Sequence, residues 1–377
     1  MIPQERRLVY KDIDVFVAGG GPAGLAAAIA AAQHGLSVAV ADGAEPPIDK
    51  PCGEGLMPET LAALRDLGVN VPLAAGRNFR GVRFVQDGRE VSADFTSGHG
   101  IGMRRPVLHA LLIDAAQKCG VQFLWKTAVT GIEARGVRLM NGFAAARWII
   151  GADGGASRIR KWTGLDRPLR RTQRIASRRH YRIRPWSGYM EIHWGRSTQA
   201  YVTPVAAEQT CIAILGDDAE DAKFDRAFAE LPALRERLNG AELASRERGA
   251  VTVMQRFSRV SRGNVALIGD ASGGVDAITG DGLRLAFRQA AALADAMKSN
   301  DLRGYESAHR ELQRRPFLMG KLLVELGRRK LVRDRVLRAF SARPELFQRL
   351  LAIHGGVVSL REILAAGAQL GWQFVTA

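Results

Sequence analysis

Residues 13–42 read IDVFVAGGGPAGLAAAIAAAQHGLSVAVAD. The apolar run 15–18 predicts a buried parallel strand, and glycines at 19, 21 and 24 follow it with the G-x-G-x-x-G spacing. An alanine-rich stretch, 22–34, then predicts a helix, and Val38–Ala41 predicts a second strand. The segment therefore predicts a strand–turn–helix–strand unit that binds a dinucleotide.

Each polar or glycine position in this unit has a physical role in that prediction. Gly19 permits the tight turn, Gly21 lets the backbone approach a pyrophosphate, and Gly24 lets the helix pack closely on the sheet. The N-terminus of helix 22–34 favours negative charge through its dipole and unpaired N–H groups. Asp42 closes the second strand and is placed to bind a ribose hydroxyl.

Three further segments carry a resemblance to a known superfamily. Residues 148–160 read WIIGADGGASRIR, and residues 264–286 read NVALIGDASGGVDAITGDGLRLA. Arg105 is followed by Leu108, Leu112, Ala116 and Gly120 at the spacing that these proteins use after their arginine. Over about residues 12–300 the chain resembles the flavoprotein monooxygenase superfamily typified by para-hydroxybenzoate hydroxylase, which implies that the bound cofactor is FAD.

The resemblance implies a position for each part of FAD. The pyrophosphate is implied to lie against Gly19, Gly21, Ala23 and Gly24, and the adenosine ribose against Asp42. Arg105 is implied to approach the phosphate or ribityl region, and Val129 to meet the adenine. Asp270 is implied to bind the ribityl chain. Asp153 is implied as a further cofactor residue, and its alternative is a structural role in a turn at a strand end.

Gly280, Asp281, Gly282 and Leu283 are implied to lie beside the isoalloxazine. The next helix would begin near N1 and the C2 carbonyl, where its dipole would stabilise the negative charge that reduction places at N1. The alternative for Gly280 and Gly282 is an ordinary turn and helix cap.

Within the superfamily, two segments look like geranylgeranyl reductases and their relatives: residues 269–282, GDASGGVDAITGDG, and residues 50–58, KPCGEGLMP. Ala277 stands where a proline is usual, and residues 201–204 match the reductases' aromatic strand motif only in part. Tryptophan halogenases share the Gly-Glu pair at 53–54, but their Trp-x-Trp-x-Ile-Pro element has no counterpart in this sequence.

Four residues are candidates for the chemistry around the flavin. Cys52 is a candidate proton donor or flavin contact, and its alternative is simple packing. Glu54 is a candidate acid–base group, and its alternative is a charge at a helix N-terminus. Tyr201 and His193 lie on predicted strands of a substrate sheet and are candidates to line a pocket.

The predicted fold is α/β, with a Rossmann-type FAD-binding domain interleaved with a mainly antiparallel β-sheet substrate domain, plus a C-terminal helical region. The FAD-binding domain is assigned to residues 1–76, 100–176 and 257–300, the substrate domain to 77–99 and 177–256, and the helical region to 301–377. Period-two alternation in 82–85 and 189–194 supports the antiparallel sheet.

Cysteine content and the N-terminus bear on the compartment. The chain has 377 residues and three cysteines, Cys52, Cys119 and Cys211, without paired spacing. That pattern predicts neither a disulfide framework nor a metal site. No apolar stretch follows Arg6 and Arg7 before the first strand, so no secretion signal is expected. We therefore expect a cytoplasmic protein.

The net charge of +16 is concentrated in residues 303–349, where basic and apolar residues alternate at helical spacing. Several interpretations stay open. The region forms a solvated basic face, docks an acidic carrier protein that holds the substrate, docks a protein client, or attaches peripherally to anionic lipid. Nucleic acid is not expected as a partner, because the sequence has no recognition motif or aromatic stacking platform.

These features predict an FAD-dependent oxidoreductase. The leading hypothesis is a monooxygenase that hydroxylates or epoxidises a small hydrophobic or aromatic substrate through a C4a-hydroperoxyflavin, with NADPH or NADH as transient electron donor. The nearest alternative is a reductase of isoprenoid double bonds. An alternative of another class is a flavin-binding maturation or partner protein that acts on a macromolecular client.

Overall fold

The computed structural model describes residues 8–356, and the side chains of all of them except 8–12 and 170. Residues 1–7 of the predicted FAD-binding domain and 357–377 of the predicted helical region lie outside this range. In chain order the strands and helices are β1 (Leu8–Ala18), α1 (Pro22–Gln33), β2 (Val38–Ala41), β3 (Gly55–Leu56), α2 (Pro58–Asp66), β4 (Arg77–Phe79), β5 (Gly81–Gln86), β6 (Arg89–Asp94), β7 (Gly100–Gly102), α3 (Arg105–Lys118), β8 (Gln122–Leu124), β9 (Val129–Glu133), β10 (Gly136–Leu139), β11 (Gly142–Gly151), α4 (Arg158–Trp162), β12 (Pro168–Tyr181), β13 (Met190–Trp194), β14 (Thr198–Ala206), β15 (Gln209–Gly216), α5 (Phe224–Glu230), α6 (Pro232–Arg237), β16 (Arg248–Phe257), β17 (Ser261–Arg262), β18 (Val265–Leu267), α7 (Gly282–Lys298), α8 (Leu302–Arg328), α9 (Lys330–Ala342) and α10 (Pro344–Gly355).

The first sheet has the strand order β17-β18-β11-β1-β2-β8, and β10 also pairs with β11 while β9 pairs with β10. From β18 to β8 each pair of neighbouring strands in this order is parallel, whereas β17 pairs with β18 in the antiparallel sense. Helices α1, α3 and α7 pack beside this sheet around one apolar core. This is the predicted dinucleotide-binding unit, and its first strand extends further toward the N-terminus than the predicted residues 15–18.

The strands that precede the three glycine-containing motifs end at one edge of this sheet. Ala18, the last residue of β1, pairs with Gly151 of β11, and Gly151 pairs with Leu267 of β18. Carboxyl ends of parallel strands form the usual ligand crevice of open α/β sheets. Strand pairing therefore brings together motifs that lie more than 100 residues apart in the chain.

The second sheet has the order β16-β12-β15-β14-β13-β5-β6, and only β13 and β5 pair in parallel. The predicted mainly antiparallel sheet is confirmed. One boundary differs from the prediction, because β12 belongs to this sheet from Pro168 onward. Residues 168–176, which were expected in the FAD-binding domain, are therefore part of the second sheet.

The C-terminal helices complete the core of the second sheet. Phe347 of α10 is buried with its ring centroid 4.5 Å from that of Phe84 on β5 and 5.1 Å from that of Phe340 on α9. Their apolar cluster also includes Trp194 and Leu337. Among the described helices, none has the length and apolar content needed to cross a membrane.

Candidate active site

The glycine turn after β1 has the geometry that its spacing predicts. Gly19 has φ of +116°, and its N–H donates to the carbonyl of Ala41 at 2.8 Å. A Cβ on Gly24 would lie 1.9 Å from the Gly19 carbonyl oxygen, so α1 approaches the turn as closely as only glycine permits. A Cβ on Gly21 would meet nothing within 4 Å. Gly21 therefore presents bare backbone to open space at the N-terminus of α1.

Two side chains hold this turn in place. The Asp42 carboxylate accepts hydrogen bonds from the N–H groups of Gly20 at 2.7 Å and Ala44 at 2.8 Å. The Nε2 of His109 on α3 lies 2.8 Å from the Gly20 carbonyl oxygen, and its Nδ1 lies 3.4 Å from the amide nitrogen of Ile48. Burial lowers the pKa of His109. A neutral ring that donates from Nε2 and accepts at Nδ1 satisfies both contacts.

A cavity of about 220 Å³ lies beyond the turn. Its lining includes Asp42 and Val129, which are predicted to contact the ribose and the adenine, and it also includes Asp153. The Asp153 carboxylate also accepts hydrogen bonds from the Ser157 hydroxyl at 2.5 Å and the Arg158 N–H at 2.7 Å. These hydrogen bonds give Asp153 a structural role in the turn at a strand end, the alternative to its predicted role as a cofactor residue. Asp153 also lines the cavity.

A larger cavity of about 510 Å³ lies between the two sheets. It shares Gly21, Lys50 and Ala152 with the smaller cavity, so the two adjoin at the glycine turn and together outline a trough. Asp270, exposed in a 3₁₀ turn at Gly269–Ser272, lines it, as do Arg105 and Ala23.

The turn before α7 forms part of the same wall. Gly280 has φ of +68°, and Gly280, Gly282 and Leu283 line the larger cavity where α7 begins. Asp281 was predicted with them, but it is not part of the lining. Its carboxylate is buried and lies 2.8 Å from Arg284 Nη2 and 3.6 Å from His354 Nε2. The Asp281 side chain is therefore turned toward Arg284 and His354 and away from the cavity.

Apolar side chains make up most of the remaining wall. The second sheet supplies a row of them from β5, β13 and β15, and α8 and α10 close the opposite side. These residues are Val82, Phe84, Met190, Ile192, Leu215, Met319, Leu323, Phe347, Leu350 and Leu351. Tyr201 also lines the cavity, and its hydroxyl donates to the Ile278 carbonyl at 3.2 Å. Burial raises the pKa of Tyr201 far above its usual value, so the phenol stays neutral.

His193 does not reach the cavity, so its prediction as a lining residue is wrong. Met190 and Ile192 of β13 face the cavity, and side chains alternate between the two faces of a strand. His193 therefore lies on the opposite face, where its Nε2 is 2.9 Å from the Glu191 carboxylate.

Cys52 and Glu54 form one polar part of the cavity wall. The Cys52 sulfur accepts a hydrogen bond from the Glu54 N–H at 3.4 Å and lies 3.9 Å from Arg105 Nη1. Glu54 has φ of +60°, a conformation that costs a non-glycine residue about 1 kcal/mol or more. The sequence analysis identified Cys52 and Glu54 as candidates. No sequence pattern explains the strained backbone of Glu54.

The reason for this strain is a buried set of contacts on the Glu54 carboxylate. Oε1 accepts from Arg178 Nη1 at 2.8 Å and from the Arg105 backbone N–H at 3.0 Å, and Oε2 lies 2.7 Å from His180 Nε2. Arg178 also binds Asp49 through two hydrogen bonds. Burial alone would lower the pKa of Arg178, but its bonds to Asp49 and the charge of Glu54 outweigh burial and raise it.

Glu54, His180 and Cys211 each place one donor atom within 4.8 Å of the others, which is the spacing of a metal cluster. The donor set does not suit a cation, because the Arg178 guanidinium already carries a positive charge at the Glu54 carboxylate. Burial also raises the pKa of the Cys211 thiol well above its usual value, which disfavours the thiolate that a metal would need.

Comparison with known proteins identifies the family. The FAD binding domain family matches residues 12–309. The chain belongs to that family. The menaquinone reductase of Mycobacterium tuberculosis is 27% identical over 315 residues, which cover 77% of each chain. The digeranylgeranylglycerophospholipid reductase of Methanothrix thermoacetophila is 28% identical over 336 residues, which cover 79% of this chain and 83% of the relative.

Solved structures share the fold of this flavoprotein. The flavin-dependent brominase Bmp2 aligns with a TM-score of 0.77 and 20% identity over 93% of this chain and 94% of its own. A flavoprotein/dehydrogenase from Cytophaga hutchinsonii aligns with a TM-score of 0.78 and 21% identity over 91% and 92%. The resemblance to the FAD-dependent monooxygenase superfamily is thereby confirmed, and the protein is a flavin-dependent oxidoreductase.

The trough fits the cofactor of this flavoprotein. The smaller cavity would hold the adenosine part, the open backbone at Gly21 the pyrophosphate, and the turn before α7 the isoalloxazine. The remaining volume, between that turn and the second sheet, is where a substrate would bind. Individual cofactor contacts of the site residues stay predictions.

Sequence reasoning missed three contributors to the site of this flavoprotein: His109, His180 and the cavity-facing side of α8 and α10. His109 follows Arg105 by one helical turn, a spacing that places both on one side of α3. Nothing comparable in the sequence points to His180, because its partner Glu54 lies 126 residues away.

Proposed function

We propose that this flavoprotein is a reductase that saturates carbon–carbon double bonds in the isoprenoid chain of a lipid. The observation that carries the proposal is the row of apolar side chains that lines much of the cavity of about 510 Å³, whose polar lining includes Cys52, Glu54 and Asp270. An isoprenoid chain has only apolar surface to bury, and a site of that kind is lined chiefly by apolar side chains. The names of the two reductase relatives support the same substrate class.

Saturation of a double bond adds a hydride to one carbon and a proton to the other. Bound FAD, once reduced, would supply the hydride. The cavity walls would exclude water and hold the chain against the turn that precedes α7. We propose NADPH or NADH as the source of the electrons, on the strength of the superfamily resemblance.

Cys52 is our candidate for the proton donor. After it gives up its proton, the thiolate would be stabilised by the Glu54 N–H and by the positive charge of Arg105. Glu54 would hold Arg105 close to Cys52, because its carboxylate accepts a hydrogen bond from the Arg105 backbone N–H.

The test is anaerobic turnover. Protein loaded with FAD is mixed with NADPH, or with dithionite, and a menaquinone that carries a short unsaturated side chain in detergent micelles. We expect mass spectrometry to show two hydrogen atoms added per double bond. A Cys52→Ala variant should keep FAD but lose about a hundredfold or more of the rate, the range of general acid catalysis.

Oxygen distinguishes the competing predictions. Incorporation of labelled oxygen into the substrate in air, without saturation under anaerobic conditions, would favour the monooxygenase hypothesis. Tight binding of a macromolecular client with no turnover under either condition would favour the maturation or partner role.

We also propose that the protein takes its substrate from an anionic lipid bilayer. Residues 303–349 contain thirteen Lys and Arg against five Asp and Glu, which is half of the chain's net charge of +16. On α8 the exposed Leu318 and Leu322 lie beside Arg314 and Lys321. Exposed leucine together with basic residues fits an anionic lipid surface better than it fits an acidic protein alone.

The same helix would connect that surface to the cavity. Leu318 and Leu322 are 54% and 56% exposed, whereas the adjacent Met319 and Leu323 line the cavity. An acyl or isoprenoid chain that enters beside α8 would therefore exchange one apolar surface for another without crossing water.

A further inference from the structure

We propose that Trp162 and Lys50 bind the ADP half of FAD, Trp162 by stacking on the adenine and Lys50 by pairing with the diphosphate. These two roles concern the cofactor end of the trough, so they do not depend on the reaction proposed above. Neither residue belongs to a glycine motif or to the cofactor residues predicted from the sequence. Their placement in the structure is what singles them out.

Trp162 is the last residue of α4 and lines the smaller cavity. The same cavity is lined by Asp42 and Val129, which are predicted to contact the ribose and the adenine. Trp162 is 41% exposed, so part of a large apolar side chain lies bare beside the site that is predicted to hold a flat base. A ligand that covers this side chain would remove apolar surface from water.

The ring of Trp162 differs from those of the other described tryptophans in having no partner. Each of those four contacts another aromatic ring or an arginine: Trp125 stacks on Phe123, Trp148 and Trp186 lie under Arg147 and Arg237, and Trp194 packs against Phe84. The Trp162 ring makes no such contact with residues 8–356. Base–aromatic stacking needs only a bare ring face, because every base has a π-face. The unpartnered ring of Trp162 therefore suits the adenine.

Lys50 lies where the two cavities adjoin, and it lines both of them. Gly21, whose backbone faces open space at the N-terminus of α1, lines both as well. The Lys50 ammonium is near the backbone of Gly154, since a Cβ on Gly154 would lie 3.7 Å from Lys50 Nζ. The ammonium and the positive end of the α1 dipole thus lie at one junction, where the two phosphates of FAD are expected.

No carboxylate of the described residues lies within ion-pair distance of Lys50. Asp49, the preceding residue, is already bound by two arginines, each at 2.9 Å. Asp42 and Asp153, the acids that line the smaller cavity, accept hydrogen bonds from neighbouring N–H groups. The positive charge of Lys50 is therefore available to a diphosphate, to which an ammonium donates charge-assisted hydrogen bonds.

Together the two residues would favour a dinucleotide over a mononucleotide. FMN contains neither the adenine nor the second phosphate of FAD, so it has nothing to place against Trp162. ADP contains both groups and lacks the isoalloxazine. We therefore expect ADP alone to occupy the smaller cavity, of about 220 Å³, in protein from which FAD has been removed.

The experiment measures the dissociation constants of FAD, ADP and adenosine for the full chain after removal of FAD, by calorimetry and by quenching of tryptophan fluorescence. The variants are Trp162→Ala, Trp162→Phe and Lys50→Ala. One matched control is Leu169→Ala, at an apolar side chain 68% exposed that lines neither cavity. The other is Lys161→Ala, at an exposed lysine of α4 that also lines neither. Melting temperatures verify that each variant is folded.

We expect Trp162→Ala to raise the dissociation constants of FAD, ADP and adenosine about tenfold or more, the range of base stacking. Trp162→Phe should keep most of the affinity, because a smaller ring still stacks, and should lose most of the fluorescence quenching. Lys50→Ala should raise the constants of FAD and ADP but not that of adenosine, which has no phosphate. Its effect should shrink as the salt concentration is raised. Both controls should match the wild type.

Equal affinity for ADP and FAD in Trp162→Ala and the wild type would overturn the stacking role. An equal loss of adenosine and ADP binding in Lys50→Ala would overturn the charge role. If the wild type binds no FAD, the cofactor expected in the trough is wrong and both roles fail with it. Failure of the protein to saturate a double bond would leave both roles intact.

Discussion

At the scale of single residues, two glycines of the turn after β1 have different roles, Gly21 in cofactor binding and Gly24 in folding. Gly21→Ala adds a methyl group in open space where the pyrophosphate is expected, so we expect a folded protein whose FAD dissociation constant rises by about tenfold or more. Gly24→Ala places a Cβ against the Gly19 carbonyl and should instead lower the free energy of unfolding. FAD titration and denaturant unfolding measure the two effects. The control is Gly304→Ala in α8, where a Cβ also meets nothing.

A second residue-scale prediction concerns the strained Glu54. Glu54→Gly relieves about 1 kcal/mol of backbone strain but removes a buried partner of Arg178, a loss of about 3–5 kcal/mol. We therefore expect a net loss of about 2 kcal/mol or more in the free energy of unfolding. Asn300→Gly, at another left-handed position that is exposed, should show no such loss. A more stable Glu54→Gly protein would contradict the assignment of its contacts.

These residues also mark what the sequence can and cannot predict. The glycine turn was predictable because its parts are contiguous, and a turn's backbone requirements depend on neighbours in the chain. Glu54 was found as a candidate, but His180 and Arg178 reach it across more than 120 residues. Such partners are fixed by the packing of the loop before β3 against β12, which no local pattern encodes.

At the scale of elements, α8 supports the turn that carries Asp270. His309 of α8 is buried, and its Nε2 lies 2.9 Å from the Ser272 hydroxyl, which donates to the Gly269 carbonyl. Burial lowers the pKa of His309 to about 4. Because the unfolded chain binds a proton at this residue more readily, the stability from neutral His309 is complete above about pH 6.5 and is lost as the pH falls toward 4.

We expect this loss to reach about 3 kcal/mol near pH 4. His309→Gln should therefore show a shallower decline in unfolding free energy between pH 7 and pH 4 than the wild type. Denaturant unfolding at several pH values measures the difference, and His99→Gln, an exposed site, serves as the control. Equal slopes in the wild type and His309→Gln would contradict the prediction.

The alternation of apolar and polar residues along an element explains one correct prediction and one wrong prediction. Alternation in 189–194 correctly predicted a strand of the second sheet. It did not establish which face meets the cavity, and His193 lies on the wrong one. The basic and apolar pattern of α8 to α10 likewise predicted amphipathic helices, but their contribution to the cavity wall depends on tertiary packing.

At the scale of the whole molecule, the charge distribution leads to a prediction about membranes. We expect the protein to float with vesicles that contain phosphatidylglycerol, to bind phosphatidylcholine vesicles weakly, and to dissociate as salt is raised. The double variant Leu318→Ser/Leu322→Ser should lose most of the binding. Leu73→Ser, at a side chain 74% exposed in another region, should keep it.

Equal binding by the double variant would show that this face does not meet the lipid. Failure to bind any vesicle, together with capture of an acidic carrier protein, would favour the carrier interpretation of the basic helices. Neither result depends on turnover, so the membrane proposal and the reductase proposal can fail separately.

The late position of α10 in the chain has a consequence for biosynthesis. Phe347 and its neighbours cover the apolar face of β5 and β6, about 250 residues earlier in the sequence. At a translation rate of roughly 5–20 residues per second, that face emerges from the ribosome roughly 10–50 s before its cover. During this interval the nascent chain displays a bare hydrophobic sheet, which makes it a natural client for ribosome-associated chaperones.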